Sequence, residues 1–274
     1  MKTRLTITLP ADLLSSIDNQ IDGSHLRNRS HAIEHLIRQS LGLDVSTAVI
    51  LSGGEKNIKH NTLLKKINGQ FLLSIIIDQL KPHGITDIFI CAPDKNKDVE
   101  REFGTGAALN VSIKYVYEKK PLGTAGALKH AAAHTSSTEP WLVMHGDVLI
   151  DLDLGALFEF HRTEGAEATI TVKPKLGNKA LGEVYLSGNQ VLKFSKHGSE
   201  QDISIINTGV YVIEPQIISQ LPNASSKDLE IDVFPQLART NQLKAFIYQG
   251  IWYDISTEDQ YLESQKRWKH VKRS

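Results

Sequence analysis

The pattern that most restricts this chain begins at Thr47. From there, short apolar runs closed by glycine or proline alternate with runs whose apolar residues recur at helical spacing. AVILSGG (48–54) is a buried strand running into glycines, FLLSIIIDQLKPHG (71–84) is a helix ended by Pro82 and Gly84, and DIFICAP (87–93) is the next strand. Strands that are apolar throughout, rather than alternately, belong to a sheet covered on both faces. The expected architecture is α/β: a Rossmann-like, mainly parallel sheet flanked by helices, with ligands at the carboxyl ends of its strands. Further strands fit SIKYVYE (112–118), PWLVMHGD (140–147), ATITVKP (168–174), GEVYL (182–186), NTGVYVIE (207–214) and KAFIYQG (244–250). VLKF (191–194) lies among them, so the later part of the sheet is expected to be mixed.

The first 44 residues follow a different grammar. TRLTITL (3–9) alternates strictly, which places Arg4, Thr6 and Thr8 on the polar face of a short strand. Pro10 opens a helix carrying Leu13, Leu14, Ile17 and Ile21, and Gly23 closes it. A second helix starts near Ser30 as N-cap and runs to Gly42. A lone strand leaves its backbone groups unpaired, and so short a segment buries too little to fold alone, so a second copy is the natural complement.

Charge and cysteine usage narrow the function classes. The chain of 274 residues holds 31 Lys+Arg against 31 Asp+Glu, but the balance is uneven along its length. The last nine residues, KRWKHVKRS (266–274), carry five basic groups and no acidic one, leaving a mildly acidic body behind a balanced head. Cys91 has no partner, which excludes an intrachain disulfide framework and any zinc site built from cysteines, and makes a reducing, cytoplasmic setting the default. No apolar run reaches the roughly 18–20 residues of a spanning helix, so no membrane partner is expected.

Residues 2–43 resemble the ribbon-helix-helix family of DNA-binding proteins, on RLTITLP, the first helix, the turn and NRSHAIEHLIRQSL. The resemblance implies a homodimer or higher homo-oligomer whose paired strands enter the major groove of double-stranded DNA. Arg4, Thr6 and Thr8 would then touch base edges, and Arg29 and Ser30 would hold a phosphate. The alternative is a dimerisation clamp that never meets DNA. HAIEH (31–35) also matches an H-x-x-E-H zinc pattern, but surface histidines on a helix are the expected reading.

From Thr47 to about Gln265 the chain resembles the sugar-nucleotide pyrophosphorylase family, the sugar-phosphate nucleotidyltransferases. The segments that carry the resemblance are AVILSGG, EKKPLGTAGAL (118–128), VMHGDVLIDLDL (143–154), INTGVYVIEP (206–215) and GIWYDISTEDQYL (250–262), in that order. It implies that a sugar 1-phosphate attacks the α-phosphorus of a nucleoside triphosphate and pyrophosphate leaves, with negative charge neutralised throughout. Asp147 and Asp254 are then the catalytic carboxylates and the ligands of Mg2+. Gly53, Gly54, Glu118, Gly123 and Asp147 would bind the nucleotide. Gly182, Asn207 and Thr208 would face the sugar, with Lys196 or His197 on the sugar phosphate. The expected organisation is a head over 1–44, a nucleotidyltransferase-like domain over 47–265 and a basic tail over 266–274.

One stretch departs from the family pattern. The opening G-G-x-G-T-R-L and P-K-P-L signature is replaced by GGEKNIKHNTLLKKINGQFLL (53–73), which lacks the arginine and places Thr62 where the lysine belongs. Lys56, Lys59, Lys65 and Lys66 remain nearby. Two accounts follow: an active magnesium-dependent enzyme with a rebuilt loop, or a sensor of a nucleotide or nucleotide sugar that regulates transcription through the head.

Overall fold

The computed structural model describes residues 6–21, 28–40, 45–53, 61–95, 97–135, 137, 139–176, 183–195, 203–221 and 227–268. The chain divides into two compact units, Met1–Asp44 and Val45–Ser274. In the first, Pro10 precedes the helix Ala11–Asp18, which buries Ile17, and a second helix spans Arg29–Ser40 with Ala32 fully buried. Arg29 and Asp18 join the two through a bidentate ion pair, with both N···O distances 2.6 Å. The expected strand over 3–9 is not found in its described part: residues 6–10 form no strand. Alternation of side chains prepares a strand, but only a hydrogen-bonded neighbour makes one, and the described residues of the single chain supply none.

The second unit is built on a nine-stranded mixed sheet. Its strands are β1 (Thr47–Leu51), β4 (Asp87–Pro93), β5 (Ser112–Glu118), β6 (Trp141–His145), β8 (Ala168–Leu176), β9 (Glu183–Ser187), β10 (Gln190–Ser195), β11 (Ile203–Ile213) and β12 (Leu243–Ile247). They lie in the order β5-β4-β1-β6-β11-β8-β12-β10-β9. The β5-β4-β1-β6 half is parallel, and β11 runs antiparallel to both β6 and β8. All five residues of β1 are buried because it lies between β4 and β6 with apolar material on both faces. Ala48 and Ile50 enter one core, and Val49 and Leu51 enter the other. The helix Leu72–Leu80 fills the first core with Leu72, Leu73, Ile76, Ile77 and Leu80 and ends where Gly84 takes φ 72°.

Two small pairings were not anticipated. β2 (Lys66–Ile67) and β3 (Gln70–Phe71) form a hairpin across Asn68 and Gly69, both with positive φ, the turn chemistry that Asn-Gly signals. β7 (Val148–Ile150) pairs antiparallel with β13 (Trp252–Asp254), with Asp254 opposite Val148. Among the described residues no helix is long and apolar enough to cross a membrane.

Candidate active site

The carboxyl ends of the parallel strands open onto a cavity of about 200 Å3 whose lining includes Gly53 after β1, Glu118 at the end of β5, and His145 and Asp147 at the end of β6. This is where a doubly wound sheet places its ligand. Asp147 follows the turn at Gly146, whose N–H donates to the Leu51 carbonyl at 2.8 Å, tying the ends of β6 and β1 together.

The β7–β13 pairing brings Asp254 to Asp147 from far along the chain. The Ile255 N–H donates to the Asp147 carbonyl at 2.7 Å and Asp254 pairs with Val148, so the two aspartates lie on adjoining stretches of chain. One Asp254 oxygen accepts from the Ser256 N–H (2.9 Å) and hydroxyl (2.6 Å), which orients the carboxylate. Two hard oxygen donors suit Mg2+, which takes one or two carboxylates and fills its octahedron with water and phosphate oxygens. Among the described residues no group of three or more His, Cys, Asp or Glu side chains is arranged to hold a metal ion.

Glu118 is buried at the inner end of the cavity. One of its oxygens accepts from the Leu122 N–H (3.1 Å), while the other, Oε1, has no hydrogen-bond partner among the described residues. Burial raises the pKa of this carboxyl, against the opposing effect of the Leu122 N–H. A Cβ at Gly53 would lie 3.9 Å from both Glu118 oxygens, so glycine keeps the approach to the carboxylate open.

Gly123 has a different reason to be glycine. It begins the helix Gly123–Ala132 at φ 72°, and a Cβ there would stand 2.3 Å from the Lys227 carbonyl oxygen. The Ala125 N–H donates to that carbonyl, and the Thr124 N–H donates to the Asp228 carboxylate at 3.1 Å. The first turn of this helix is thus satisfied by the chain itself. Gly123→Ala is expected to lower stability by about 2 kcal/mol or more, since strain at positive φ adds to a backbone clash. A urea midpoint unchanged from the parent protein would show that the 227–228 segment moves aside without cost.

Beside Asp147 lies a polar network that sequence reasoning missed. His145 Nε2 is 3.0 Å from Glu230 Oε1, the Tyr211 hydroxyl donates to the same oxygen (2.8 Å), and the Thr124 hydroxyl donates to Glu230 Oε2 (2.9 Å). Burial opposes the charged form of His145, but the Glu230 hydrogen bond and charge, with Asp147 and Asp254 beyond, outweigh it and raise its pKa. Burial likewise opposes the Glu230 carboxylate, yet His145 and Tyr211 bring its pKa down to about 2. Glu230 lies in a π-helical turn, Leu229–Val233. Its signal was DLEID (228–232), three carboxylates in five residues just ahead of the apolar pair Val233 and Phe234.

The other expected site residues fall apart into four groups. Asn207 joins the network from its edge, donating to the Tyr211 hydroxyl (2.7 Å) and accepting from the Gly209 N–H (3.1 Å). Thr208 is buried, with its hydroxyl on the Thr171 carbonyl and its own carbonyl taking the Trp252 indole N–H. Arg4, Gly54, Gly182, Lys196 and His197 lie outside the described residues. In the head, Thr6, Thr8 and Ser30 are exposed, and Arg29 is engaged by Asp18, whose hydrogen bond with Arg29 lowers the Asp18 pKa.

The altered opening loop is visible at its end. Thr62, where the resemblance expects a lysine, is buried and donates its hydroxyl to the Gly146 carbonyl at 2.8 Å. Lys65 donates to the Ile255 carbonyl (2.8 Å) and sits over the Tyr261 ring, and Lys66 sits over Phe71. Lys56 and Lys59 lie outside the described residues.

A mixed sheet with a cavity at the ends of its parallel strands and helices on both faces defines the chain as an α/β protein of the doubly wound kind. More particularly, residues 47–270 match the model of the nucleotidyl transferase family, and the chain belongs to that family. It is 29% identical over 224 residues to a mannose-1-phosphate guanylyltransferase of Mycobacterium tuberculosis, covering 78% of this chain and 62% of that protein. It is 31% identical over 209 residues to a UTP–glucose-1-phosphate uridylyltransferase of Synechocystis, covering 70% of this chain and 54% of that protein. The match thus spans little more than half the length of these relatives. Among solved structures, HddC from Yersinia pseudotuberculosis in complex with GMP-PN shares the fold with a TM-score of 0.70 at 22% identity, covering 82% of this chain and 100% of that one.

Proposed function

We propose that residues 45–274 bind a guanine nucleoside triphosphate and a sugar 1-phosphate and join them into a nucleotide sugar, with Mg2+ held by Asp147 and Asp254. The observation that supports this reading is the main-chain bond from Ile255 to Asp147, which ties the segment carrying Asp254 to Asp147, a residue of the Glu118 cavity. Bound there, Mg2+ would supply positive charge to the phosphate oxygens. The attacking phosphate monoester is already largely ionised near neutral pH, because its second pKa is about 6, so no side chain need act as base. What the protein supplies is position: Asp147 and Asp254 at the reacting phosphates, and Glu118 at the far end of the nucleotide.

Guanine is favoured over uracil by the acceptor chemistry of Glu118. A buried carboxylate with one oxygen unpartnered matches a base edge bearing two adjacent donors, the N1–H and 2-amino group of guanine. The N3–H of uracil is flanked on both sides by carbonyl oxygens, which a carboxylate repels. The mannose-1-phosphate guanylyltransferase relative agrees with this choice. Thermal unfolding with Mg2+ and GTP, UTP, ATP or CTP tests it. At a hundred times Kd, bound ligand adds about 2.7 kcal/mol, or roughly 5–10 °C for a unit of this size. A larger rise with UTP than with GTP would refute the assignment.

One observation favours a second reading, a ligand-binding sensor with little turnover: Thr62 is buried and committed to Gly146 where the resemblance expects a phosphate-binding lysine. Losing one preorganised donor costs on the order of 10²–10³ in rate. Assay of product from GTP with mannose 1-phosphate or glucose 1-phosphate separates the two. Steady turnover abolished by Asp147→Asn rules out the sensor, and saturable GTP binding without product rules out the enzyme.

For the head we propose pairing with a second copy and contact with double-stranded DNA through Arg4, Thr6 and Thr8. Ile7, Leu13 and Ile37 are about half exposed, apolar surface that a second copy would cover. A dimer in sedimentation and a salt-dependent DNA shift lost in the Arg4→Ala/Thr6→Ala double variant are the expected results. Binding that survives the double variant assigns the DNA contact elsewhere, and a monomer at micromolar concentration removes the paired ribbon.

A further inference from the structure

A second concave site lies outside the cavity described above. β8, β13 and the helix Glu258–Arg267 enclose a groove of about 880 Å3. Into it β8 contributes Lys173 and Lys175, two residues apart on one face of the strand, and the last turn of the helix contributes Lys266 and Arg267. Among the described residues of the lining Glu263 is the single carboxylate, and it is 3.4 Å from Arg267. Trp252 forms part of the floor, with the Lys175 ammonium 4.8 Å above its ring.

The two lysines are held in place without acidic partners. Lys173 donates to the Gly250 carbonyl (2.6 Å), and neither lysine forms an ion pair among the described residues. Burial lowers the pKa of both, and the Lys173 charge lowers that of Lys175 further against the pull of Asp254 and Glu263. Like charges gathered in a partly dry groove repel one another, and an anion that reaches several of them relieves that cost.

We propose that this groove is a second ligand site, for an oligophosphate group of two or more linked phosphates. Four cations against one carboxylate match a ligand carrying several negative charges in a short length. The groove also has the volume of a small-molecule site, within the range of roughly 300–1,000 Å3. The basic run of residues 266–274, which the nucleotidyltransferase reading leaves unused, begins at its rim with Lys266 and Arg267. Glu118, Asp147 and His145 do not line the groove, which adjoins the proposed transfer site through Tyr253 and through Gln260, whose side chain accepts the Asp254 N–H.

The test is calorimetric titration of the full chain with inorganic tripolyphosphate in metal-free buffer. Binding that weakens with rising salt is expected, and about tenfold or more weaker in Lys173→Gln/Lys175→Gln, since charged hydrogen bonds contribute about 1.5–3 kcal/mol. Lys266→Gln/Arg267→Gln, on the exposed last turn, should weaken it as well and guards against a folding defect in the strand variant. Glu118→Gln should leave it unchanged. Competition by ATP assigns the ligand to the triphosphate of a nucleotide, and its failure assigns it to a free oligophosphate. No measurable binding, binding unaffected by both groove variants, or binding lost in Glu118→Gln overturns the proposal. So does a single-stranded DNA 15-mer that binds through Lys175 when tripolyphosphate does not.

Discussion

Asp147→Asn is expected to reduce the proposed metal-dependent nucleotidyl transfer by about 10³ while leaving the fold intact. The first half of that expectation follows from charge. Asparagine keeps the shape of the side chain but removes one of the two anionic ligands from the pair, and the loss of a positioned charge-stabilising group costs on the order of 10²–10³. The second half follows from where the fold uses Asp147: its main-chain carbonyl accepts the Ile255 N–H, and that bond is indifferent to the side chain. Asp254→Asn should be less selective, because one Asp254 oxygen also takes two bonds from Ser256. Rates and melting temperatures measured on both variants over a Mg2+ titration decide the matter. Turnover by Asp147→Asn within tenfold of the parent at saturating Mg2+ would remove Asp147 from the reacting centre.

Glu118→Gln has the next largest effect, and its two parts have opposite signs. Binding of guanine nucleotide should weaken by about 10–100-fold, the value of a charge-assisted hydrogen bond, because an amide offers one acceptor where the carboxylate offers two. The free protein should become more stable. Burial raises the Glu118 pKa, so the folded state binds its proton more tightly than the unfolded chain does. The contribution of this group to stability therefore falls as pH rises from the unfolded value towards and through the folded one, leaving the ionised carboxylate a liability at neutral pH. Glutamine removes that liability. The same linkage predicts that GTP affinity in the parent is level above the folded pKa and declines below it, because guanine donors select the charged form. A variant with lower melting temperature and unaltered GTP affinity would overturn both parts.

Much of this was legible along the chain. β4 and β5 run over 87–93 and 112–118, the expected segments: β4 is apolar along most of its length and buried on both faces, while β5, at the sheet edge, alternates buried and exposed residues. The end of the helix Leu72–Leu80 was legible for a local reason too, since Pro82 and Gly84 punctuate the backbone wherever they occur. β7 and β13 were not, because three-residue strands have too short a period to read. The strand expected over 3–9 erred in the opposite direction, having the right alternation but no neighbour in the described chain to pair with.

The site divides in the same way. Glu118, Asp147 and Asp254 stood out because each sits in a dense motif. Thr124, His145, Tyr211 and Glu230 did not, because a hydrogen-bonded network drawn from four separate elements leaves no spacing in the sequence. Gly123, expected to bind the nucleotide, has a structural reason to be glycine, since a Cβ there would meet the Lys227 carbonyl. At Thr62 the sequence records only a missing lysine, while the fold shows the hydroxyl that replaced it holding the turn before Asp147.

What the sequence by itself determined was the succession of βα units beginning at Thr47, because hydrophobic period and turn chemistry are properties of neighbouring residues. The tertiary structure decided which distant residues face each other: Asp254 beside Asp147, Glu230 on His145, and the lysines of β8 across from the last turn of the final described helix. Those juxtapositions depend on strand register and sheet order, set by the simultaneous burial of both faces, and no local segment carries that information.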